Sequence, residues 1–155
     1  MNAMPSAPEL VLSLQQALPT TACPVPRARL RRWILAALSA RAQTARLTLR
    51  FVGNAESRAL NRDYRGKDRP TNVLTFPYGE DPLEADIVLC MPVLRAEARA
   101  QRKPLDQHLA HLVIHGVLHA QGFEHEDEDE AAAMESLETA LLRRFRIPDP
   151  YRSGG

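Results

Sequence analysis

Hydrophobic and polar residues follow strand-like patterns along four short segments of the chain and helix-like patterns along five others. Residues 9–15 and 45–52 alternate apolar and polar side chains, residues 72–76 are rich in β-forming side chains, and residues 85–91 are almost continuously apolar. Such segments are typical of strands, and a continuous apolar run is typical of a strand buried on both faces. Apolar residues spaced three and four apart predict helices over residues 27–43, after Asn54, after Pro92, over residues 104–121 and over residues 128–145.

The order of these elements predicts an α/β domain of the α+β type, in which a small, mixed, four-stranded sheet packs with about five helices. Residues at the predicted helix ends support this interpretation. Asn54 can cap a helix, Pro92 and Pro104 suit the first position of a helix because the missing N–H would be unpaired there, and Gly122 suits a left-handed C-terminal cap. The three consecutive helices make up the second half of the chain.

The composition is that of an ordinary globular protein. The chain has 155 residues, of which 45% are hydrophobic and 25% charged, so we expect a single domain over residues 1–155, with residues 1–8 as a loose leader. The longest apolar run, Trp33–Leu38, has six residues, whereas a membrane span needs about 20. Neither a signal-peptide pattern nor a C-x-x-C pair is present, so Cys23 and Cys90 are expected to be reduced and partly buried. These features predict a cytoplasmic protein that makes no membrane contact.

The histidines are concentrated in one short stretch. Four of them project within an arc of about 80° on one helix face, and a fifth follows the predicted helix stop: His108, His111, His115, His119 and His125. His115 and His119 are four residues apart, so their rings lie one helical turn apart, as two metal ligands on one helix do. Gly122 then lets the chain turn, and His125 can fold back as a third ligand. The sequence therefore predicts a metal site on the helical second half.

The spacing also indicates which chemistry the metal site supports. Residues 115–125, HGVLHAQGFEH, share the ligand spacing H-x-x-x-H-x-x-G-x-x-H with metzincin zinc peptidases, but Gly116 stands where those enzymes carry a general-base glutamate. Three imidazoles suit one Zn²⁺ at about 2.0–2.1 Å and leave a fourth position open, as in catalytic zinc sites. Nickel, copper or another divalent ion also accepts imidazole. The spacing does not assign a role to His108 or His111: each could lie beside the metal ligands, face the substrate or be half-buried in the protein.

A second cluster of functional groups precedes the third predicted strand. Residues 62–71 form a turn-rich, charged stretch that carries four cations, Arg62, Arg65, Lys67 and Arg69. Arginine and lysine in a loop bounded by glycine and proline can bind phosphate, arginine through a bidentate fork. A solvated loop of no special function has the same composition, so the pattern alone leaves both interpretations open.

The formal net charge of +1 conceals an asymmetry. Residues 1–123 contain 16 basic and 10 acidic side chains, for a charge of +6, and residues 124–155 contain 4 basic and 9 acidic side chains, for a charge of −5. The acidic run at residues 124–130 is typical of a solvated helix start. A nearly neutral chain is disfavoured as an indiscriminate RNA binder, but the asymmetry permits a local phosphate site where the two segments meet.

These residues resemble a known family. HGVLHAQGFEH is similar to the H-G-x-L-H-L-x-G-[YF]-D-H motif of the bacterial YbeY family of metal-dependent endoribonucleases, and LNRDYRGKDRPTNVLTFPYG at residues 60–79 is similar to that family's L-N-x-x-[FY]-R-x-x-D-x-P-T-D-V-L-S-F-P segment. The resemblance covers about residues 45–151. This chain departs from the family pattern at five positions without losing a ligand: Asn72, Thr75, Ala85, Ala120 and Glu124.

The resemblance implies a function and a set of site residues. It implies that His115, His119 and His125 hold one zinc ion and that Arg65 faces the metal as a catalytic group. It further implies cleavage of single-stranded RNA, with roles in 16S ribosomal RNA 3′-end maturation, ribosome biogenesis and ribosome quality control. The implied partners are the 16S rRNA precursor, the small ribosomal subunit, a ribosomal protein and a GTPase of subunit assembly.

Two other functions fit parts of the pattern. A zinc peptidase shares the ligand spacing, but Gly116 provides no carboxylate for it. A non-catalytic ribosome assembly factor would use zinc only to hold the helical half together. Such a structural site needs a fourth protein ligand, for which the candidates are His108, His111 and Glu124.

Overall fold

The structure is a computed structural model, and it describes residues 8–38, 44–124 and 126–151. Within these residues it contains four strands, one short 3₁₀ turn and five α-helices. In chain order the elements are β1 (Leu10–Gln16), α1 (Arg27–Leu38), β2 (Ala45–Val52), α2 (Asn54–Arg65), β3 (Val73–Glu80), β4 (Leu83–Cys90), α3 (Met91–Ala100), α4 (Leu105–Ala120) and α5 (Glu128–Arg143).

The four strands form one mixed sheet in the order β1-β2-β4-β3. Strand β2 pairs in parallel with both β1 and β4, whereas β3 pairs antiparallel with β4 and lies at the edge. The predicted fold, a small, mixed, four-stranded sheet packed with about five helices, is therefore confirmed.

Strand β3 is longer than its sequence pattern predicts. The pattern ends at Phe76, but pairing with β4 continues to Glu80, with a register shift between Pro77 and Gly79. Proline has no N–H to donate, so it is tolerated here because β3 is an edge strand. The pairing that extends this strand comes from β4, which is why the local pattern of residues 72–76 did not predict it.

The main core lies between one face of the sheet and helices α1 and α4. Leu47 and Leu49 of β2 and Ile87 of β4 are fully buried there against α1 and α4 residues such as Trp33 and Val113. Helix α4 also packs against β3, α3 and α5. Its central position explains why ten of its sixteen residues are buried and why the histidines can lie at the junction of several elements.

A smaller cluster lies on the opposite face of the sheet. Val52, Leu74, Val88 and Cys90 form it, and Leu60 of α2 packs against them. Helix α2 covers only part of this face, and its C-terminal end lies near β3, where Tyr64 contacts Phe76.

Helix α2 differs from the prediction at its N-terminus. Gly53, not Asn54, occupies the N-cap position, and Asn54 is the first helical residue. The Asn54 side chain instead accepts a hydrogen bond from the thiol of Cys90 at 3.4 Å. Cys90 is buried and Cys23 half-buried, both as free thiols, as the sequence predicts.

The C-terminal end of α2 also corrects the prediction of a turn-rich loop over residues 62–71. Arg62 and Arg65 lie on the last turn of the helix, and only the residues that follow form the loop. Gly66 ends the helix with a positive φ of 70°, and its N–H donates to Arg62 O at 3.1 Å. The helical backbone therefore holds Arg65 in a defined position.

The remaining helix ends agree with the prediction to within two residues where the structure describes them. Pro92 lies in the first turn of α3. Pro104 is the N-cap of α4 and not its first helical residue, so this helix begins at Leu105, one residue later than predicted. Helix α5 ends at Arg143 instead of Phe145. The end predicted for α1 falls in residues 39–43, outside the described residues. The longest described helices, α4 and α5, have 16 residues each, and the described helices include no candidate for a membrane span.

Candidate metal centre

Helix α4 places His115 and His119 one turn apart, as their spacing predicts. Their rings are stacked, with centroids 6.4 Å apart and an angle of 19° between the planes. Both side chains are partly exposed. Two parallel imidazoles at the surface of a buried helix are suited to bind one ion in common.

A buried carboxylate on α5 fixes the orientation of His115. Oε1 of Glu138 lies 2.5 Å from Nδ1 of His115, and Glu138 has no exposed side-chain surface. Burial by itself raises the pKa of Glu138, but hydrogen bonds from His111 and His115 outweigh that effect and lower the pKa to about 2. Glu138 is therefore a carboxylate that can accept a hydrogen bond from Nδ1 of His115, and a neutral His115 ring that donates in this way has its lone pair on Nε2.

The turn after α4 orients His119 in the same way. Gly122 adopts a positive φ of 96°, which a residue with a side chain rarely adopts, and the Phe123 N–H bonds back to Leu118 O at 3.2 Å. This geometry places the Phe123 carbonyl oxygen 3.1 Å from Nδ1 of His119. An Nδ1–H that donates to this carbonyl leaves the lone pair of His119 on Nε2 as well.

This donor set fits a zinc ion. Histidines that bind metals characteristically donate their other ring N–H to a carboxylate or a backbone carbonyl, which fixes both tautomer and orientation. His115 and His119 have these two partners. The predicted third ligand, His125, lies outside the described residues. Among the residues that are described, no group of three or more His, Cys, Asp or Glu side chains is arranged to hold an ion.

The two histidines open onto a cavity of about 290 Å³, which we call the histidine cavity. It is lined by residues from the end of α2, from β3 and from α4: Tyr64, Arg65, Val73, Leu74, Thr75, Phe76, His115 and His119. The structure thus brings Arg65 to the same cavity as His115 and His119, although 50 residues separate Arg65 from His115 in the sequence.

The other cations near Arg65 are placed differently. Arg62 pairs with Asp63 at 3.1 Å, and Lys67 and Arg69 lie exposed in the following loop. Within the described part of the chain, Arg65 is the one arginine or lysine that lines the histidine cavity. A phosphate in this cavity would therefore meet one guanidinium and two imidazoles.

Glu138 connects His115 to two further side chains. Its second oxygen, Oε2, lies 3.1 Å from Nε2 of His111 and accepts a short hydrogen bond from the hydroxyl of Tyr151. We call Glu138, His111, His115 and Tyr151 the Glu138 network. His111 thus contacts the carboxylate that orients His115 and does not line the histidine cavity.

His108 belongs to a separate contact. It is buried, and its Nε2 lies 3.0 Å from Oε1 of Glu97 on α3. The side-chain amide of Asn72 donates to the same carboxylate at 3.2 Å. Glu97 therefore ties α4 and the residue before β3 to α3. This role is structural and places His108 outside the histidine cavity.

Sequence reasoning missed Glu138 and Tyr151 as members of the site. Glu138 lies on the buried side of α5, which Met134, Leu141 and Leu142 otherwise fill with apolar side chains. A carboxylate at a position of an apolar helix stripe needs a buried partner. That interruption of the pattern was the available signal.

Gly116 explains why helix α4 can lie so close to the sheet. A Cβ atom at this position would be 3.0 Å from Cγ2 of Ile87 and 3.4 Å from Oγ1 of Thr75. The place where a zinc peptidase carries its general-base glutamate is therefore tightly packed, and a side chain there would have to displace Ile87 or its neighbours. This observation argues further against the peptidase alternative.

Comparisons with known proteins identify the family of the chain. A family model described as Endoribonuclease YbeY matches residues 19–146. The chain is 52% identical over 155 residues to Endoribonuclease YbeY from Paraburkholderia phymatum, which covers 96% of this chain and 99% of the relative. It is 57% identical over 129 residues to the Cupriavidus pinatubonensis protein of the same name, covering 81% of this chain and 63% of that longer relative.

A solved structure shows the same fold. The solution structure of TM1509 from Thermotoga maritima matches with a TM-score of 0.58 and 22% sequence identity, covering 92% of this chain and 99% of the other. This match concerns the fold alone, whereas the family model matches residues 19–146 and the two relatives cover 96% and 81% of the chain at 52% and 57% identity. The chain belongs to the Endoribonuclease YbeY family.

Proposed function

We propose that this protein is a zinc-dependent endoribonuclease that cleaves single-stranded RNA. As a member of the Endoribonuclease YbeY family it is an RNA-cleaving hydrolase; zinc and the preference for single strands are our proposal. The observation that carries it is the placement of Arg65 in one cavity with His115 and His119, whose Nδ1 atoms face a carboxylate and a backbone carbonyl.

The proposed ligands are His115, His119 and His125. With Nδ1 of His115 and of His119 donating to Glu138 and to the Phe123 carbonyl, the Nε2 atoms of both rings would be the ones that bind the ion, and His125 would complete a three-histidine site with one open position. When bound, zinc supplies a Lewis acid that polarises a phosphoryl oxygen and lowers the pKa of bound water.

Arg65 is proposed to bind the scissile phosphate. A guanidinium can donate two parallel hydrogen bonds to phosphate oxygens, and its charge is independent of pH in the physiological range. Negative charge grows on these oxygens as the transition state forms, so a fixed cation lowers the barrier more than it tightens substrate binding. The helical position of Arg65 at the end of α2 supports this role because it fixes the backbone from which the side chain reaches the histidine cavity.

The cellular role is also a proposal. We infer that the substrate is the 16S rRNA precursor, that the enzyme acts in 3′-end maturation and ribosome quality control in the cytoplasm, and that the small subunit, a ribosomal protein and an assembly GTPase are its partners. The net charge of +1 supports delivery by partners, since a nearly neutral protein gains little from counterion release on RNA.

Two substitutions test the catalytic proposal. His115→Ala removes a proposed ligand, and Arg65→Glu reverses the charge at the phosphate. We expect each to lower cleavage of a short single-stranded RNA by at least about 100-fold, the cost of removing one group that stabilises a transition-state charge. Arg62→Glu is the matched control, because it makes the same change of charge on the same helix outside the histidine cavity.

Two results would contradict the catalytic proposal. If both variants fold and cleave RNA as fast as the parent protein, the proposal is wrong. If Arg62→Glu loses as much activity as Arg65→Glu, the loss reflects the general charge of α2 and the specific role of Arg65 is refuted.

A further inference from the structure

A second cavity lies next to the histidine cavity and shares a wall with it. It has a volume of about 380 Å³. The residues that line it come from the sheet face opposite the main core and from α2: Gln15, Thr48, Arg50, Glu56, Leu60, Tyr64, Phe76, Asp86 and Val88. Tyr64 and Phe76 line both cavities, so this pair of aromatic rings separates them.

The two rings support each other and leave much of Tyr64 exposed. Their centroids are 5.1 Å apart with an angle of 65° between the planes, which is an edge-to-face contact. The edge-to-face contact uses only part of the Tyr64 ring, and Tyr64 as a whole is 69% exposed. Exposed aromatic side chains beside a phosphate-binding cation are characteristic of proteins that bind single-stranded nucleic acids, because every base can stack on them.

The charges of the two cavities differ in a way that fits the two parts of a nucleotide. The histidine cavity contains Arg65 and two imidazoles, which suit a phosphate. In the second cavity Arg50 is already bound by both oxygens of Glu56, at 2.6 and 2.8 Å, and Asp86 adds a further carboxyl group. A lining of this kind disfavours a phosphate and favours an uncharged, planar group that can form hydrogen bonds.

We propose that the second cavity is a base-binding subsite, in which the nucleobase next to the scissile phosphate stacks on Tyr64. The phosphate lies beside Arg65, and the backbone of the RNA passes the Tyr64–Phe76 wall so that the neighbouring base enters the second cavity. Thr48 and Asp86 then face the edge of that base. This inference rests on the proposed function, and it assigns to Tyr64 a role in binding rather than in bond cleavage.

The test uses the zinc-loaded protein and a short single-stranded RNA that contains 2-aminopurine, whose fluorescence is quenched when it stacks. Rapid mixing reports binding before cleavage. We expect Tyr64→Leu to weaken binding by about 5- to 150-fold, the range for loss of one stacked base, with a matching rise in KM and little change in kcat. Tyr64→Phe keeps the ring and should bind within about twofold of the parent.

Two controls locate the effect. An RNA with one abasic residue next to the cleaved bond should bind the parent and Tyr64→Leu equally, because the stacking partner is missing. Val11→Ala shortens another exposed apolar side chain, 61% exposed and lining neither of these two cavities, and should leave binding unchanged.

The inference is overturned if Tyr64→Leu binds the intact RNA as tightly as the parent, or if its defect persists on every abasic RNA. A larger defect in Val11→Ala than in Tyr64→Leu would place the binding surface elsewhere and overturn the inference equally. Failure of the proposed function has a different result: RNA that binds in a Tyr64-dependent manner and is never cleaved.

Discussion

Replacement of Glu138 by glutamine tests whether the buried carboxylate controls the metal site. Glu138 has no exposed side-chain surface, and its Oε1 lies 2.5 Å from Nδ1 of His115. Glutamine has nearly the same shape but no charge and only one acceptor oxygen. In the Glu138→Gln variant, that single oxygen cannot serve His115, His111 and Tyr151 together, so at least one contact of the Glu138 network is lost or reversed.

The size of the effect follows from the hydrogen bonds. A hydrogen bond to a charged group contributes about 1.5–3 kcal/mol, whereas a neutral one contributes about 0.5–1.5 kcal/mol. Loss of the charge therefore weakens the orientation of His115 by about 1–1.5 kcal/mol, or about tenfold. Residues that orient metal ligands typically change metal affinity by about 10- to 100-fold when replaced. We expect zinc affinity to fall within that range.

The assay is competition for zinc between the protein and a chromophoric chelator at constant pH. Glu135→Gln is the matched control, because Glu135 is exposed on the same helix. Nitrogen NMR shifts of His115 provide a second readout, since a weaker Nδ1–H contact allows the other tautomer to appear. Tyr151→Phe removes one donor but leaves the carboxylate on His115, so its affinity should lie between those of Glu138→Gln and the parent.

If Glu138→Gln, Glu135→Gln and the parent bind zinc with equal affinity, the Glu138 carboxylate does not control the metal site. An unchanged His115 tautomer together with a reduced affinity would also refute this role of Glu138, because the loss would then arise from something other than ring orientation. Circular dichroism spectra establish that each variant is folded before the comparison is made.

Two further predictions concern helix α4. Overpacking typically costs about 1–3 kcal/mol, and we expect Gly116→Glu to lower the free energy of unfolding by more than that, since even a Cβ would be 3.0 Å from Ile87. The variant should also have no peptidase activity. If urea unfolding shows that the variant is as stable as the parent, the close approach of α4 to β4 is contradicted. Burial lowers the pKa of His108 below 6.5, although its hydrogen bond to Glu97 acts in the opposite direction. The unfolded chain therefore takes up this proton at a higher pH than the folded protein, so the free energy of unfolding should decrease below pH 6.5 by up to about 1.4 kcal/mol per pH unit. Urea unfolding of the parent and of His108→Gln at pH 7.5 and 5.5 measures this, and equal slopes for the two proteins would contradict it.

Much of the fold was predictable because local signals mark its elements. Proline at position 92 and glycine at position 122 mark helix ends by their own backbone restrictions, and the structure places them near those ends. The exceptions have non-local causes. Pairing with β4 extends β3 past Pro77, and Gly53 takes the N-cap position while the Asn54 side chain contacts the thiol of Cys90 at the end of β4.

Only the local part of the site was predictable from the residues themselves. The stacked pair His115 and His119 follows from a spacing of four on one helix, which is a local property. Arg65 was identified through a family resemblance, and its approach to the histidines depends on how α2, β3 and α4 pack. Glu138 and Tyr151 reach His115 and His111 from elements 23 and 40 residues away, and no periodicity predicts such partners. The role of His125 stays a prediction.

The central claim is that a metal held by His115, His119 and His125 is needed for RNA cleavage. The direct measurement is the rate of cleavage of a 16S rRNA precursor fragment by protein of known zinc content, before chelation, after chelation and after zinc is restored, with circular dichroism recorded at each step. We expect chelated protein to stay folded, to lose cleavage, and to regain it at one equivalent of zinc. Metal-free protein that cleaves at the original rate would show that the metal is not needed, and protein that unfolds on chelation and never cleaves RNA when reloaded would instead indicate a zinc ion that only stabilises the helical half.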